Sequence, residues 1–188
     1  MPSMRVFLDF EASSLADDGY PIEVGWAGED GSCEAHLIRP APGWTDWDPA
    51  AQAVHGLTRQ QLLSEGEPHE LVARRTLAAL GPHEVFASAP SWDGKWLSVL
   101  LRAAGLPRHA LRLRDADEAH LLAAAEILRG RVVDQALAGA AAELLATARR
   151  RLAGAPPRHR ALADAQAELE VWREVRRLAH EQVGGGPG

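Results

Sequence analysis

Apolar and polar residues alternate near the beginning of the chain, in the segment RVFLDFEASSL at positions 5–15. Side chains on a strand alternate between its two faces, so one face carries Val6, Leu8 and Phe10 and the other carries Phe7, Asp9 and Glu11. The Cα atoms of Asp9 and Glu11 would then lie roughly 6.5 to 7 Å apart. Two carboxylates on one rigid face can reach one hard cation. An edge strand with a solvated acidic face has the same pattern, because short motifs also match by chance.

Similar patterns predict the order of the remaining strands and helices. We expect strands at 22–26, 33–38, 84–89 and 111–113, and helices at 50–55, 58–63, 70–80, 92–104, 117–128, 133–152 and 160–182. Short turns join the first three strands, which favours an antiparallel meander, whereas the later strands follow helices. The sequence therefore predicts an α/β fold, in which helices flank a mixed five-stranded sheet made of the meander and parallel strands.

Length and composition indicate one globular domain. The chain has 188 residues, of which 46% are hydrophobic and 24% are charged, and this suits a single core. We expect one domain at 1–182, interrupted by a break at Ala155-Pro156-Pro157, and a flexible Gly-rich tail at 183–188. No apolar run approaches the roughly 20 residues that cross a bilayer, and the amino terminus lacks a signal-peptide pattern. A soluble, cytoplasmic protein without membrane contact is predicted.

Cysteine content and net charge limit which classes of function the protein can have. Cys33 is the only cysteine, so an intrachain disulfide is excluded, and we expect it to be a small core residue of the third strand. The net charge of −6 argues against coating of nucleic acid by general charge attraction. A local phosphate site stays compatible with this charge, because bound Mg²⁺ makes the field of an acidic pocket positive.

Three further residues stand at the ends of predicted elements. Asp93 opens the helix after the fourth strand, where an acid also simply offsets the helix dipole. His159 follows the double-proline break, and Asp164 comes five residues later in the first turns of the last helix. The imidazole can thus lie on a loop while the helix fixes the carboxylate.

In this order the motifs resemble those of the DEDDh branch of the DnaQ-like, RNase T-like 3′ to 5′ exonucleases. That family has Asp-x-Glu at the end of the first strand, an aromatic residue followed by Asp at a helix start, and His-x-x-x-x-Asp. The matches are Asp9-Phe10-Glu11, Trp92-Asp93 with Trp96-Leu97, and His159 with Asp164, and the DnaQ-like segment between the first two is matched by Val54-His55-Gly56-Leu57-Thr58. The chain departs from the family at Ser88-Ala89-Pro90-Ser91, often a His-Asn pair there, and at Ala12-Ser13-Ser14, often Thr-Thr-Gly.

The resemblance implies an RNase H-like fold and hydrolysis of phosphodiester bonds with two Mg²⁺ or Mn²⁺ ions. Such hard ions prefer carboxylate and water oxygens. In the roles that the resemblance carries over, Asp9 contacts both ions, Glu11 and Asp164 complete the ion on the nucleophile side, and Asp93 supports the second ion. His159 is the expected general base, since imidazole titrates near neutral pH.

The resemblance also nominates substrate-binding residues just after the first motif. These are Ala12, Ser13 and Leu15, with Leu15 as an apolar wedge against the terminal base. His55 either approaches the sugar-phosphate or is a buried or helix-capping histidine, and Trp92 either stacks on a base or packs in the core. Stacking tolerates every base, so we expect little base preference.

Two functions from different classes follow. The first is a 3′ to 5′ exonuclease on the 3′ ends of single-stranded DNA or RNA, with both substrates open because the choice depends on how the 2′-hydroxyl is received. The alternative is a nuclease-weak, nucleic-acid-binding or proofreading-partner module that docks through the helical segment 117–152, with a polymerase or a second copy of the chain as partner. The complete set of acids with His159 favours the enzyme, and the His-x-x-x-x-Asp pair disfavours an RNase H-like endonuclease.

Overall fold

A mixed sheet lies at the centre of the structure. The computed structural model describes residues 3–154 and 159–184. The strands are β1 (Arg5–Ala12), β2 (Pro21–Gly28), β3 (Cys33–Arg39), β4 (Glu67–Pro68), β5 (Glu84–Ala87) and β6 (Leu113–Asp115). Within the described residues they form a six-stranded sheet in the order β4-β3-β2-β1-β5-β6.

Strand direction follows the lengths of the connections. The strands β1, β2 and β3 pair antiparallel through short turns, whereas β5 is parallel to β1 and β6 is parallel to β5. The predicted mixture is confirmed, but the predicted count of five strands is one too low. The additional strand β4 has only two residues and pairs with the end of β3, and so short a segment has no periodicity that a sequence pattern could reveal.

Helices cover both faces of this sheet. They are α1 (Pro49–His55), α2 (Arg59–Glu65), α3 (His69–Leu80), α4 (Pro90–Ala103), α5 (Ala116–Leu128), α6 (Asp134–Leu152) and α7 (Ala161–Gly184). One face packs Val6, Leu8 and Phe10 of β1 against α3 and α4. The other packs Phe7 against α5 and α7. The two faces of β1 therefore have different neighbours, and its acidic face is the one that α7 approaches.

Three further expectations have different outcomes. The expectation that Cys33 is a core residue is wrong, because it lies exposed at the first position of β3. The break at Ala155-Pro156-Pro157 and the last four residues of the expected tail lie outside the described residues, while α7 continues to Gly184. No helix of the described chain is both long and apolar enough to span a membrane.

The beginning of α7 lies unusually close to β2 at Gly25. A Cβ atom at Gly25 would lie 2.2 Å from the backbone N of Leu162 and 2.6 Å from the carbonyl carbon of Ala161. Both contacts are to backbone atoms, which cannot rotate away as a side chain would. Glycine at this position is thus what allows α7 to rest on the sheet.

We expect Gly25→Ala to displace the first turn of α7 and to lower the free energy of unfolding by about 1 to 3 kcal/mol, as overpacking does in other cores. Gly139→Ala is the matched control, because Gly139 lies within α6 with nothing within 4 Å of an added Cβ. That change should raise stability by about 0.5 to 1 kcal/mol. Urea unfolding of both variants measures the difference, and equal stabilities would contradict the close approach.

Candidate metal centre and nucleotide cavity

Two carboxylates stand together at the end of β1. Asp9 and Glu11 are partly buried, and in the antiparallel pairing with β2 they lie opposite Gly25 and Glu23. Directly opposite residues of an antiparallel pair share a face of the sheet. The acids therefore face the same side as the first turn of α7, which rests on Gly25.

That first turn brings in a third carboxylate. One oxygen each from Asp9, Glu11 and Asp164 can be chosen so that all three lie within 4.8 Å of one another. The three residues are distant along the chain but adjacent in space, as the His-x-x-x-x-Asp motif led us to expect. Their oxygens are close enough to surround a single ion.

A hydrogen-bonded pair, of which only the histidine is fully buried, keeps α7 aligned along β1 below this cluster. Glu168, one turn after Asp164, accepts a hydrogen bond from the fully buried His120 at 2.9 Å. The His120 ring stacks on Phe7 with 5.5 Å between ring centroids. Since Phe7 precedes Asp9 on the same face of β1, α7 runs opposite to β1 and its first turn stays beside the strand exit.

Asp93 reaches the site from the other side, at the beginning of α4. Its Oδ1 accepts a hydrogen bond from the backbone N–H of Phe10 at 3.2 Å. Its Oδ2 is buried and has no hydrogen-bond partner among the described residues. A buried carboxylate oxygen without a partner is costly, and a nearby cation would satisfy it.

The buried carboxylate of Glu23 anchors the beginning of α7. Glu23 is 2% exposed, and its two oxygens accept hydrogen bonds from the Arg160 guanidinium at 2.6 to 3.2 Å and from the backbone N–H of Ala161 at 3.0 Å. We did not single out Glu23 from the sequence. The sequence signal for Glu23 was a charged residue in a strand whose other residues are small or apolar. A charge that is buried in such a strand needs a partner.

His159 lies two residues before the start of α7 and is partly exposed. Its backbone φ is +45°, a left-handed conformation that costs a residue other than glycine roughly 1 to 2 kcal/mol. The charge of His159 lowers the pKa of Asp164, which means that the imidazole lies near that carboxylate. Strained backbone of this kind is concentrated at functional sites.

Burial raises the pKa values of all four acids, and repulsion within the group adds to the rise for Asp9 and Glu11. The pKa of Asp9 rises to about 9, mainly through burial and then through repulsion from Asp93 and Glu11. The pKa of Glu11 rises to about 7 through burial and then the charge of Asp164. The pKa of Asp93 also rises to about 7, because burial outweighs its hydrogen bonds from backbone N–H groups. Burial likewise raises the pKa of Asp164.

These residues fit divalent cations. The donors are carboxylate oxygens, which suit Mg²⁺ and Mn²⁺, and Asp93, whose charge raises the pKa of Asp9, lies near the same group of acids. Cations would relieve the repulsion that raises the pKa values. Asp9, Glu11 and Asp164 could hold one ion, and Asp9 with Asp93 could hold a second.

A cavity of about 450 Å³ opens beside the acids. It is lined by Asp9, Phe10, Glu11, Ala12, Ser14, Leu15, Asp48, Ala50, Ala51, Val54, His55, Ala89, Trp92, Asp93 and Trp96. Of the five substrate-binding residues expected from the sequence, four belong to this lining. The cavity joins a charged end to mainly apolar walls, a combination typical of ligand sites.

Ser13, the fifth, does not line the cavity. It is fully buried, and its hydroxyl donates to Asp46 at 3.1 Å and accepts from the Tyr20 N–H at 3.1 Å. Ser14 donates to the same Asp46 oxygen at 2.5 Å. In this structure Ser13 fixes the loop after β1, and Ser14, which the sequence did not nominate, faces the cavity.

His55 is buried at the end of α1, as one of the two alternatives from the sequence has it, and its approach to a sugar-phosphate stays a prediction. It is 5% exposed, and its Nδ1 accepts a hydrogen bond from the backbone N–H of Leu57 at 3.0 Å, so the hydrogen is on Nε2. Burial lowers the pKa of His55, which favours the neutral ring. The ring both ends α1 and forms part of the cavity wall.

Comparison of folds places the sheet and helices in the RNase H-like exonuclease class of folds, as the sequence resemblance implied. The solved structures that share it include E. coli exonuclease I. A zinc-bound complex of that protein with ssDNA aligns with 98% of this chain at 16% identity and a TM-score of 0.66. Complexes with a dT13 and a dA16 oligonucleotide align with 97% and 96% at 15% and 16% identity and TM-scores of 0.65 and 0.63.

The likeness is one of fold and covers part of the larger protein. The chain spans about 42% to 43% of the aligned exonuclease I chains. No protein-family model matches the sequence, and no curated protein matches it. The site described above therefore rests on the geometry of this chain.

We expect divalent metal to stabilise the protein more at about pH 8 than at about pH 5.5. The folded-state pKa values of Asp9, Glu11 and Asp93 exceed their ordinary values of 3.8, 4.5 and 3.8, so the metal-free fold binds more protons than the unfolded chain. Its stability then falls as the pH rises from about 4 to about 9. Cations reverse this loss by replacing the protons.

At a metal concentration of about 100 times Kd the gain is about 2.7 kcal/mol, or roughly 5 to 10 °C in Tm for a chain of this size. Thermal unfolding with Mn²⁺ or with chelator at both pH values measures it. Asp9→Asn should remove most of the Mn²⁺ effect. An equal effect of Mn²⁺ at the two pH values would show that these carboxyls do not bind it.

Proposed function

We propose that this chain is a metal-dependent 3′ to 5′ exonuclease of the DEDDh type, which hydrolyses phosphodiester bonds at the 3′ ends of single-stranded DNA or RNA. The observation that supports it most is the convergence of Asp9, Glu11 and Asp164 within 4.8 Å at one end of a cavity with apolar walls. Asp93 and His159 adjoin the same group of acids. A group of acids that could bind metal beside a phosphate thus adjoins an apolar surface that could contact a base.

Two divalent cations, Mg²⁺ or Mn²⁺, would lower the pKa of the attacking water and stabilise the leaving 3′ oxygen. Asp9 would hold both ions, Glu11 and Asp164 the one on the water side, and Asp93 the one on the leaving-group side. The raised pKa values of Asp9, Glu11 and Asp93 mean that the acids partly retain protons when no metal is bound. The carboxyl groups would therefore lose these protons and become fully ionised when cations bind.

His159 would act as the general base. In the reaction its imidazole takes a proton from the attacking water, whose oxygen forms a bond to phosphorus while the bond between phosphorus and the 3′ oxygen breaks. The 3′ oxygen takes up a proton from solvent, the imidazole releases its proton to solvent, and a nucleoside 5′-monophosphate leaves. The location of His159 beside Asp164, on a strained backbone just before α7, supports this role.

The apolar part of the cavity would hold the terminal nucleotide. Ala12 ends β1, Leu15 comes from the loop after it, His55 from the end of α1 and Trp92 from α4. Ser13 would act indirectly, by fixing that loop. Few hydrogen-bonding groups line these walls, so base stacking without sequence preference is expected. Exonuclease I, which shares this fold, has been solved with both dT13 and dA16.

The alternative is a nuclease-weak binding module that docks on a polymerase or a second copy through residues 117–152. It is less well supported, because the acids and the histidine that such a module could lose are all in place. Docking of this kind would also be compatible with an active site.

Incubation with 5′-labelled DNA and RNA oligonucleotides tests the proposal directly. We expect a ladder that shortens from the 3′ end in Mg²⁺ or Mn²⁺ and no shortening in chelator, and the substrate that is degraded faster identifies the preferred nucleic acid. Cleavage inside the strand, or none with either metal, would contradict the proposal.

Asp164→Ala should abolish this activity because it removes a metal ligand. It should reduce stability little, because it also removes some of the electrostatic repulsion that destabilises the fold. The control is Asp17→Ala, which removes an exposed acid of the loop after β1. Initial rates and thermal unfolding of both variants separate the two effects. Wild-type cleavage by the Asp164 variant would refute the ligand assignment.

His159→Gln should lower kcat by about 10² to 10⁴-fold, the usual contribution of a general base, while metal-induced stabilisation remains. Thermal unfolding with Mn²⁺ distinguishes this role from a structural one, since the variant should keep the wild-type shift in Tm. A variant with unchanged kcat would remove His159 from the mechanism.

A further inference from the structure

Lys95, the only lysine in the chain, has no role in the mechanism above and lies beside the cavity. Its Nζ donates a hydrogen bond to the carbonyl oxygen of Ala16 at 2.6 Å. The same Nζ lies 5.3 Å from the ring centroid of Trp92 and 4.3 Å from that of Trp96. Both the carbonyl dipole and the aromatic faces attract an ammonium group. One side chain therefore connects α4 with the loop after β1.

The elements that Lys95 connects each supply an exposed apolar side chain to the cavity. Leu15, adjacent to Ala16, is 69% exposed, and Trp92 is 42% exposed. Trp92 is supported from behind by Trp96, with 5.9 Å between ring centroids. We call the space between Leu15 and Trp92 the base slot, because exposed aromatic and apolar surfaces are what an unpaired base stacks on.

The two sides of the base slot differ in how rigidly the backbone around them is fixed. Trp92 lies on a helix, whereas Leu15 lies on a loop whose first part is tied to Asp46 by the two serine hydroxyls. Beyond that tie, residues 15–18 are exposed. Within the loop, the Ala16 N–H donates to Ser14 Oγ at 3.0 Å and the Gly19 N–H donates to the Ala16 carbonyl at 3.2 Å. Among the described residues, the bond from Lys95 to Ala16 is the hydrogen bond that joins residues 15–18 to α4.

We propose that Lys95 is a positioning residue for the substrate: it sets the separation of Leu15 and Trp92, so that one unpaired terminal base fits between them. The inference rests on the proposed function, since it assumes a single-stranded 3′ end in the cavity. Lys95 acts through the loop and does not touch the reacting phosphate.

Lys95→Met tests this role, because methionine keeps an unbranched apolar stem over the tryptophan rings but loses the donor and the charge. We expect KM for a single-stranded oligonucleotide to rise about tenfold, the usual effect of losing a hydrogen bond to a charged group, with a smaller change in kcat. Lys95→Arg should restore most of the loss. Arg102→Met is the control, since it removes an exposed cation from the same helix.

General attraction of the strand by positive charge would give a different result. In that case Arg102→Met would raise KM as much, and high salt would abolish the defect of Lys95→Met. Either outcome would overturn the positioning role.

A double-mutant cycle with Leu15→Ala is the decisive measurement. If Lys95 acts through Leu15, then Lys95→Met should raise KM no further once Leu15 is shortened, and independent, multiplicative effects would refute the inference. Oligonucleotide binding measured by tryptophan fluorescence in chelator should follow the same pattern without catalysis. Cleavage by the wild type with unchanged KM in Lys95→Met would overturn only this inference, whereas a wild type that neither binds nor cleaves would overturn the proposed function.

Discussion

The attachment of the first turn of α7 to β2 is the constraint on which the candidate site depends. Two neighbouring positions on one face of β2 produce it. At Gly25 the missing side chain lets the helix backbone approach the sheet, and at Glu23 a buried carboxylate binds the Arg160 side chain and the Ala161 N–H. The Glu23 carboxylate is buried while the Arg160 side chain is exposed, so loss of the arginine would leave an uncompensated buried charge. We interpret the pair as a means of fixing where α7 begins.

From that attachment the local electrostatics follow. With α7 in place, Asp164 joins Asp9 and Glu11 in a partly buried cluster, and Asp93 approaches from α4. The carboxyls repel one another and lose hydration, so the metal-free fold carries a strain that cations would relieve. Strongly raised pKa values of this kind are concentrated at functional sites. Metal binding would relieve this destabilisation, and the relief would contribute to the binding free energy.

Local patterns predicted most of the fold, because the decisive signals were short-range. Alternation in β1, the helical periods and the three motifs nominated Asp9, Glu11, Asp93, His159 and Asp164 as candidate site residues, and the structure brings Asp9, Glu11 and Asp164 together. The sequence could not show which side chains turn inward where elements meet. The fully buried Ser13, expected at the substrate, supports its loop, and the importance of Glu23 appears only when a helix 137 residues further along packs on it. Such contacts depend on tertiary packing, which no local period encodes.

Anomalous diffraction from crystals containing Mn²⁺ would test the central claim most directly. The account predicts Mn²⁺ at roughly 2.0 to 2.6 Å from carboxylate oxygens of Asp9, Glu11 and Asp164, with Arg160 still bound to Glu23. Manganese bound elsewhere, with the Asp164 carboxylate turned away from Asp9, would contradict it.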